Sequence, residues 1–133
     1  MIDLSIVVVN WNTRELVLEC LASIAAELGS ADGSPDLATE ICVVDNGSSD
    51  GSVEAIRSRF PQVRVVPLPR NVGFAAGTNA GLRVLQGRHV LLLNSDTQLV
   101  RGVLRRCVAH LDAHPDVGVV GPQLLNPDGS KQN

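Results

Sequence analysis

Asn94-Ser95-Asp96-Thr97 sets one carboxylate beside an amide and two hydroxyls, an all-oxygen donor set. Such hard donors suit Mg²⁺ or Mn²⁺, with several coordination positions left for phosphate oxygens. Asp96 is the candidate ligand; the competing reading is a strand that ends in an Asx or Ser turn. Two further clusters share this character. Asn10-Trp11-Asn12-Thr13 places the single Trp, one of three aromatic residues, between two amides. An indole there offers a stacking platform for a base, or a lid on the edge of the core. In Asp45-Asn46-Gly47-Ser48-Ser49-Asp50, the first carboxylate can accept a hydrogen bond from a base's ring N–H, with an N-cap or Asx turn as the alternative. Asp50 is the better cap, which leaves Asp45 for a ligand.

Each cluster follows an apolar run that reads as a strand. Leu4–Val9 and Glu40–Val44 precede the first two, and Val90 to Leu93 within His89–Gln98 precedes the third, as a strand buried on both faces. A helix follows Thr13 or Asn12, with Leu16, Val17, Cys20, Leu21, Ile24, Ala25 and Leu28 on one face and Gly29 at its end. Ser30–Asp36 is a loop by composition. A short helix runs through Val53, Ile56 and Phe60 to Pro61, capped by Asp50 or Ser49, and a strand follows over Val63–Leu68. Asn71–Leu85 is a loop entering a helix that Gly87 closes. Leu99–His114 is a helix with Val103, Leu104, Cys107, Val108 and Leu111 inside and Arg101, Arg105 and Arg106 on a solvated face. Val117–Val120 is a fifth strand, and Asn126-Pro127-Asp128-Gly129 is a turn.

Strands alternating with helices predict an α/β fold: a mostly parallel sheet with helices on both faces, in a single domain over 1–133. Right-handed crossovers then bring the ends of strands one, two and four to one edge, where open α/β sheets bind ligands. Between them lies Asn71-Val72-Gly73-Phe74-Ala75-Ala76-Gly77-Thr78-Asn79-Ala80-Gly81. Its glycines at 73, 77 and 81 form neither a GxGxxG nor a P-loop pattern. Their spacing of four places them on one helical face, for close packing or for approach of a ligand to the backbone, and a helix amino end favours phosphate.

The 133 residues carry a formal charge of -3, which argues against a nucleic-acid partner. Basic residues are ten Arg and Lys131. No apolar run approaches the ~18–20 residues that span a bilayer, and Met1-Ile2-Asp3-Leu4 is no signal peptide. Cys20, Cys42 and Cys107 lack metal-type spacing and read as buried free thiols in a reducing cytoplasm. Asn46-Gly47-Ser48 matches a glycosylation sequon, read as accidental. A phosphoreceiver domain would want an acidic pair after strand one. A nucleotidyltransferase of similar architecture would want a Gly-rich loop there. Asn10-Trp11-Asn12 supplies neither.

Taken in order, Ile6-Val7-Val8-Val9-Asn10-Trp11-Asn12, Val43-Val44-Asp45-Asn46-Gly47-Ser48-Ser49-Asp50-Gly51, the segment 71–81, Asn94-Ser95-Asp96-Thr97 and Gly121-Pro122-Gln123-Leu124-Leu125-Asn126-Pro127-Asp128-Gly129 resemble family 2 glycosyltransferases of the rhamnosyltransferase-like kind. The resemblance implies the GT-A (Rossmann-like) fold and inverting transfer of a sugar from a UDP- or dTDP-linked donor to a glycan or lipid-linked acceptor, as in polysaccharide biosynthesis. It implies that Trp11 and Asp45 contact the base and that Asp96, the last residue of a DxD-type motif, holds Mn²⁺ or Mg²⁺. Asn10, Asn12, Asn46, Gly73, Asn79, Asn94 and Ser95 join the nucleotide site by their place in these motifs. Asn94 replaces the first motif carboxylate, so metal affinity is expected to be weaker than with a pair. The family's base and acceptor elements are expected beyond residue 133, so no catalytic residue is assigned. The chain then reads as an amino-terminal portion, incomplete at the carboxyl end; the alternative is a nucleotide-binding module without turnover. An uncovered edge strand would favour self-association. The expected location is the cytoplasm, with the inner face of the membrane as an alternative.

Overall fold

The computed structural model describes residues 1–30, 33 and 36–133. The loop expected at Ser30–Asp36 falls largely on residues 31, 32, 34 and 35, outside the described residues. Eight elements alternate as β1 (Leu4–Asn10), α1 (Arg14–Leu28), β2 (Thr39–Asp45), α2 (Ser52–Arg59), β3 (Arg64–Pro67), α3 (Phe74–Leu82), β4 (His89–Asn94) and α4 (Val103–Ala113). Two units result, residues 1–100 and 101–133.

In the first unit all four strands are parallel, in the order β3-β2-β1-β4. The chain steps outward from β1 to β2 to β3, then crosses back to place β4 on the other side of β1. That reversal lies between β1 and β4. Right-handed crossovers make the helices change face there, which opens a crevice at the carboxyl ends of the strands. Registry fixes its rim: Asn10 pairs with Asp45, and Val9 with Asn94.

The pleat sorts the β-branched runs into two layers. Val7, Cys42 and Val44 face α3, where Val9, Val66, Leu68, Ala80, Val84 and Leu85 pack on them. Ile6, Val8 and Val43 are buried on the opposite face together with Val17, Leu21 and Ile24 of α1. A Cβ on Gly81 would lie 2.8 Å from Val7 Cγ1 and 3.0 Å from Val44 Cγ2, and one on Gly77 would lie 3.3 Å from Val9 Cγ1. These two glycines let α3 lie close on the sheet. Gly73 differs. It precedes the helix at φ 88°, with nothing within 4 Å of a Cβ.

Four expectations need correction. The stretch at Val90 to Leu93 is not buried on both faces: β4 is an edge strand, and Val90 and Leu92 are 47% and 50% exposed because α3 covers β1 and β2 instead. No strand forms over residues 117–120. On α1, Leu16 and Ala25 face solvent while Leu18 and Glu27 are buried. The last helix starts at Val103 rather than Leu99, behind Gly102 at φ 81°.

In the second unit, α4 buries Leu104 and Val108. Arg101 and Arg106 are exposed, whereas Arg105 is half-buried. Arg106 folds back to donate to the carbonyls of Arg101 and Gly102 at 3.0 and 3.2 Å. The turn at Asn126–Gly129 forms, closed by Gly129 N–H to the Asn126 carbonyl at 2.9 Å and flanked by an antiparallel bridge between Leu125 and Lys131.

Gly81→Ala should force α3 off the sheet and cost about 1–3 kcal/mol by overpacking, read as a lower urea midpoint at unchanged slope. An unchanged midpoint would contradict this close contact.

Candidate functional site

Asn10, Asp45 and Asn94 are the last residues of β1, β2 and β4, so the backbone ladder itself delivers them to the rim. Asn10 is fully buried and Asp45 is 2% exposed. A buried carboxylate needs donors. Asp45 has two: Asn10 Nδ2 at 3.0 Å on Oδ1 and the Ser48 backbone N–H at 2.9 Å on Oδ2. Asp45 thus reaches the backbone three residues on in its own turn as well as making a cross-strand bond. Its carboxylate is turned into the protein rather than into the crevice.

The loop after β1 is pinned on both sides of Trp11. Asn12 has φ 50°, the one described non-glycine residue in the left-handed region, a conformation that Asn tolerates better than most. Its N–H donates to Ser48 Oγ at 2.8 Å and its Oδ1 accepts from the Ser49 N–H at 2.8 Å. With Asn10 locked before it and Asn12 after it, Trp11 is held on a fixed backbone. Trp11 is nonetheless 53% exposed, so it does not serve as a lid on the core.

Asn46 carries a third segment to the rim. Buried beside Asp45, it donates from Nδ2 to the Gly73 carbonyl at 3.1 Å and accepts the Val72 N–H on Oδ1 at 3.3 Å. The backbone of Gly47 passes so near Arg70 that a Cβ would lie 2.8 Å from its Cα. The amino end of α3 is thereby held against the end of β2.

The fourth segment follows β4. The Asn94 carbonyl accepts from Thr97 Oγ1 at 2.7 Å, Thr97 N–H at 3.3 Å and the Cys20 thiol at 3.8 Å. Burial, with a smaller push from the charge of Asp96, raises the Cys20 thiol to about 11, and burial raises Cys42 to about 11 as well. Both therefore stay protonated. They are buried and Cys107 half-buried, none in a disulfide. Ser95 Oγ lies 3.0 Å from Thr13 Oγ1, joining this loop to the one after β1. Asp96 is exposed, and its carboxylate accepts no hydrogen bond from the described residues.

The predicted residues thus divide. Asn10, Asp45 and Asn46 are buried ties, and Asn12 clamps a loop. Trp11, Asn94 and Asp96 are exposed, and Ser95 is half-buried on the rim. Gly73 is brought in through Asn46. Asn79 stands exposed on the second turn of α3 and shares no hydrogen bond with the other segments among the described residues. Thr13, Ser48 and the double role of Asp50 were not foreseen. Asp50 Oδ2 accepts from the Arg14 N–H at 2.9 Å and Oδ1 from the Ser52 N–H at 3.0 Å, with the Ser52 hydroxyl also on Oδ1. One carboxylate caps α1 and α2 together. Only the cap on α2 is local enough to read from sequence.

Among the described residues, no three His, Cys, Asp or Glu side chains gather as a metal cage. The donor set of Asp96 with neighbouring amide and hydroxyl oxygens still fits a hard divalent cation that takes most of its ligands from phosphate and water.

Partial burial pushes the Asp50 carboxyl up, but the hydrogen bonds from the Ser52 hydroxyl and the Arg14 and Ser52 N–H groups outweigh it and hold the pKa below the usual value. A lowered folded-state pKa gives stability that is present above the ordinary carboxylate range and lost as pH falls through the folded value. Asp50→Ala should therefore cost about 1–2 kcal/mol at neutral pH. In thermal scans the gap to wild type should begin to narrow as pH falls below about 4 and close only once the lowered folded value is passed; a gap that stays constant through acid titration would exclude the charged cap.

The sequence model of glycosyl transferase family 2 matches residues 5–133. An N-acetylglucosaminyl-diphospho-decaprenol L-rhamnosyltransferase of Mycobacterium tuberculosis is 32% identical over 112 residues, covering 73% of this chain and 36% of that protein. The crystal structure of S. aureus TarS 1-349 in complex with UDP superposes with a TM-score of 0.72 at 23% identity, over 92% of this chain and 38% of that one. Mannosyltransferase PcManGT from Pyrobaculum calidifontis, in complex with GDP-Man and Mn²⁺, gives 0.71 at 24% identity, over 94% and 36%. At these identities the two structures speak to the fold, which is that of GT-A glycosyltransferases. The chain spans about a third of the length of the mycobacterial relative.

Proposed function

The chain belongs to glycosyl transferase family 2, and from that premise we propose that its rim binds the nucleoside diphosphate of an activated sugar for transfer to an acceptor hydroxyl. The observation that carries this reading is the convergence of four segments, 10–13, 45–50, 71–73 and 94–97, on the switch point of the sheet, tied by side-chain hydrogen bonds. Trp11 stacks on the base. In this reading Asn10, Asp45 and Asn46 hold the loops that frame it, and Asp45 acts through the frame rather than as the direct partner of the base. Gly73 and the amino end of α3 lie beside the frame, where partial positive charge favours phosphate.

Asn94, Ser95 and Asp96 face the diphosphate, and Asp96 would hold the divalent cation. That ion supplies Lewis-acid stabilisation of the charge that builds on the departing phosphate. In this reading the acceptor oxygen attacks the anomeric carbon from the side opposite the diphosphate. The new C–O bond forms as the bond to phosphate oxygen breaks, and configuration inverts. The hydroxyl proton passes to a general base, a role that this reading gives to none of the residues named above. The donor is UDP- or dTDP-linked and the acceptor a glycan or a lipid-linked sugar, the last supported by the decaprenol-linked substrate in the name of the mycobacterial relative.

The lone Trp makes the reading directly testable, since its fluorescence reports only on residue 11. UDP or dTDP with Mn²⁺ should quench it, and Asp96→Ala should weaken binding in calorimetry by about tenfold, or about 1.4 kcal/mol. Binding that is unchanged in Asp96→Ala would sink the metal role, and an indole indifferent to both nucleotides would sink the base platform.

A second reading follows from the chain spanning about a third of its relative: the 133 residues bind donor without turnover. A radiolabelled-donor assay separates the two, because transfer or hydrolysis above background excludes the binding-only alternative.

A further inference from the structure

We propose that Thr13 is a positioning residue: its hydroxyl fixes the direction of the Ser95 O–H bond, and so presents the lone pairs of Ser95 Oγ to the bound nucleotide or its cation. The proposal rests on the nucleotide-binding reading above and extends it to a residue outside the predicted site.

The argument is a count of protons. The buried Asn10 amide has its Nδ2 at 3.0 Å from Asp45 Oδ1. A carboxylate only accepts, so this contact fixes which end of the amide is nitrogen. Asn10 Oδ1 is then the atom that meets Thr13 Oγ1 at 2.6 Å, and Thr13 must donate to it. A hydroxyl has one proton. Having given it to Asn10, Thr13 can only accept in its 3.0 Å contact with Ser95 Oγ, so Ser95 is the donor there. Direction thus passes from the Asp45 carboxylate through Asn10 and Thr13 to Ser95. With its proton committed, the half-buried Ser95 keeps its lone pairs for a ligand, one residue before the exposed carboxylate of Asp96. An oxygen so held takes a ribose hydroxyl as donor, or a hard divalent cation.

Calorimetry of the 133-residue chain with UDP and with dTDP, each in Mn²⁺ and again in EDTA, tests this on wild type, Thr13→Val, Thr13→Ser, Ser95→Ala and the double variant Thr13→Val/Ser95→Ala. Thr13→Val should weaken nucleotide binding about five- to tenfold, the worth of a neutral hydrogen bond. Thr13→Ser should restore it, and Thr13→Val should cost nothing more once Ser95 is already Ala. A loss confined to Mn²⁺ identifies a cation as the partner of Ser95; a loss that persists in EDTA identifies a nucleotide hydroxyl. Thr13→Ala replaces Thr13→Val in the same cycle if the branched side chain disturbs α1. Unchanged affinity in Thr13→Val, or an equal loss in the Ser95→Ala background, overturns the proposal while leaving the nucleotide site in place. Failure of wild type to bind either nucleotide overturns both readings together.

Discussion

The arrangement depends on the buried amide of Asn10. It stands at the end of β1, between the strands that part at the switch point, and every one of its side-chain polar atoms is used. Its nitrogen serves Asp45 and, at 3.3 Å, Ser48; its oxygen serves Thr13. A buried carboxylate such as that of Asp45 is tolerated only with donors in place, so the two side chains require each other. Their pairing is set by strand registry, which the core imposes: a slip by one residue would turn Val8 and Val43 out of the packed layer. The hydrophobic sheet therefore enforces a polar contact, and that contact orders three loops.

The outcome is a rim whose backbone is fixed before any ligand arrives. Ser48, Ser49, Asn12 and Asp50 close reciprocal bonds between the turns after β1 and β2, and Asn46 does the same for the residues before α3. Fixed loops spare binding the entropy of ordering them. Among the groups left open on this scaffold are the indole of Trp11 and the carboxylate of Asp96, the first a flat apolar face and the second a hard oxygen donor. Asn10, Asp45 and Asn46 are buried and tie the loops together while Trp11 and Asp96 stay exposed, a difference that residue type alone does not announce.

At the opposite end of the sheet, Ser5 and Glu40 form a comparable tie. Glu40 accepts from the Ser5 hydroxyl at 2.6 Å and the Gly87 N–H at 3.1 Å, and a Cβ on Gly87 would lie 2.4 Å from Ser5 Oγ. This contact guides the chain into β4. The carboxylate loses some solvation, yet the N–H groups of Gln86 and Gly87 and the Ser5 hydroxyl outweigh that and hold its pKa below the usual value. Both ends of the parallel sheet are thus fastened by a carboxylate at the β1–β2 seam.

From the sequence alone, the alternation of β-branched runs with helical periodicity determined the α/β class, the parallel sheet and the edge at which the polar clusters meet. Turn chemistry likewise located Asn126–Gly129. Exposure was decided by tertiary structure. Val90 to Leu93 is as apolar as β1, but a run of that kind cannot say whether it will lie at the centre of a sheet or, as here, at an edge with one face uncovered. Asp45 and Asp96 each end a strand in a small polar cluster, and nothing local distinguishes them. One is buried because Asn10 and the Ser48 N–H come to it from residues distant or hidden in the turn; the other is exposed, with no hydrogen-bond donor brought to it among the described residues. Thr13 and the double cap of Asp50 were illegible for the same reason: their partners lie 82 and 36 residues away in the chain, and only the crossing of the chain at the switch point makes them neighbours.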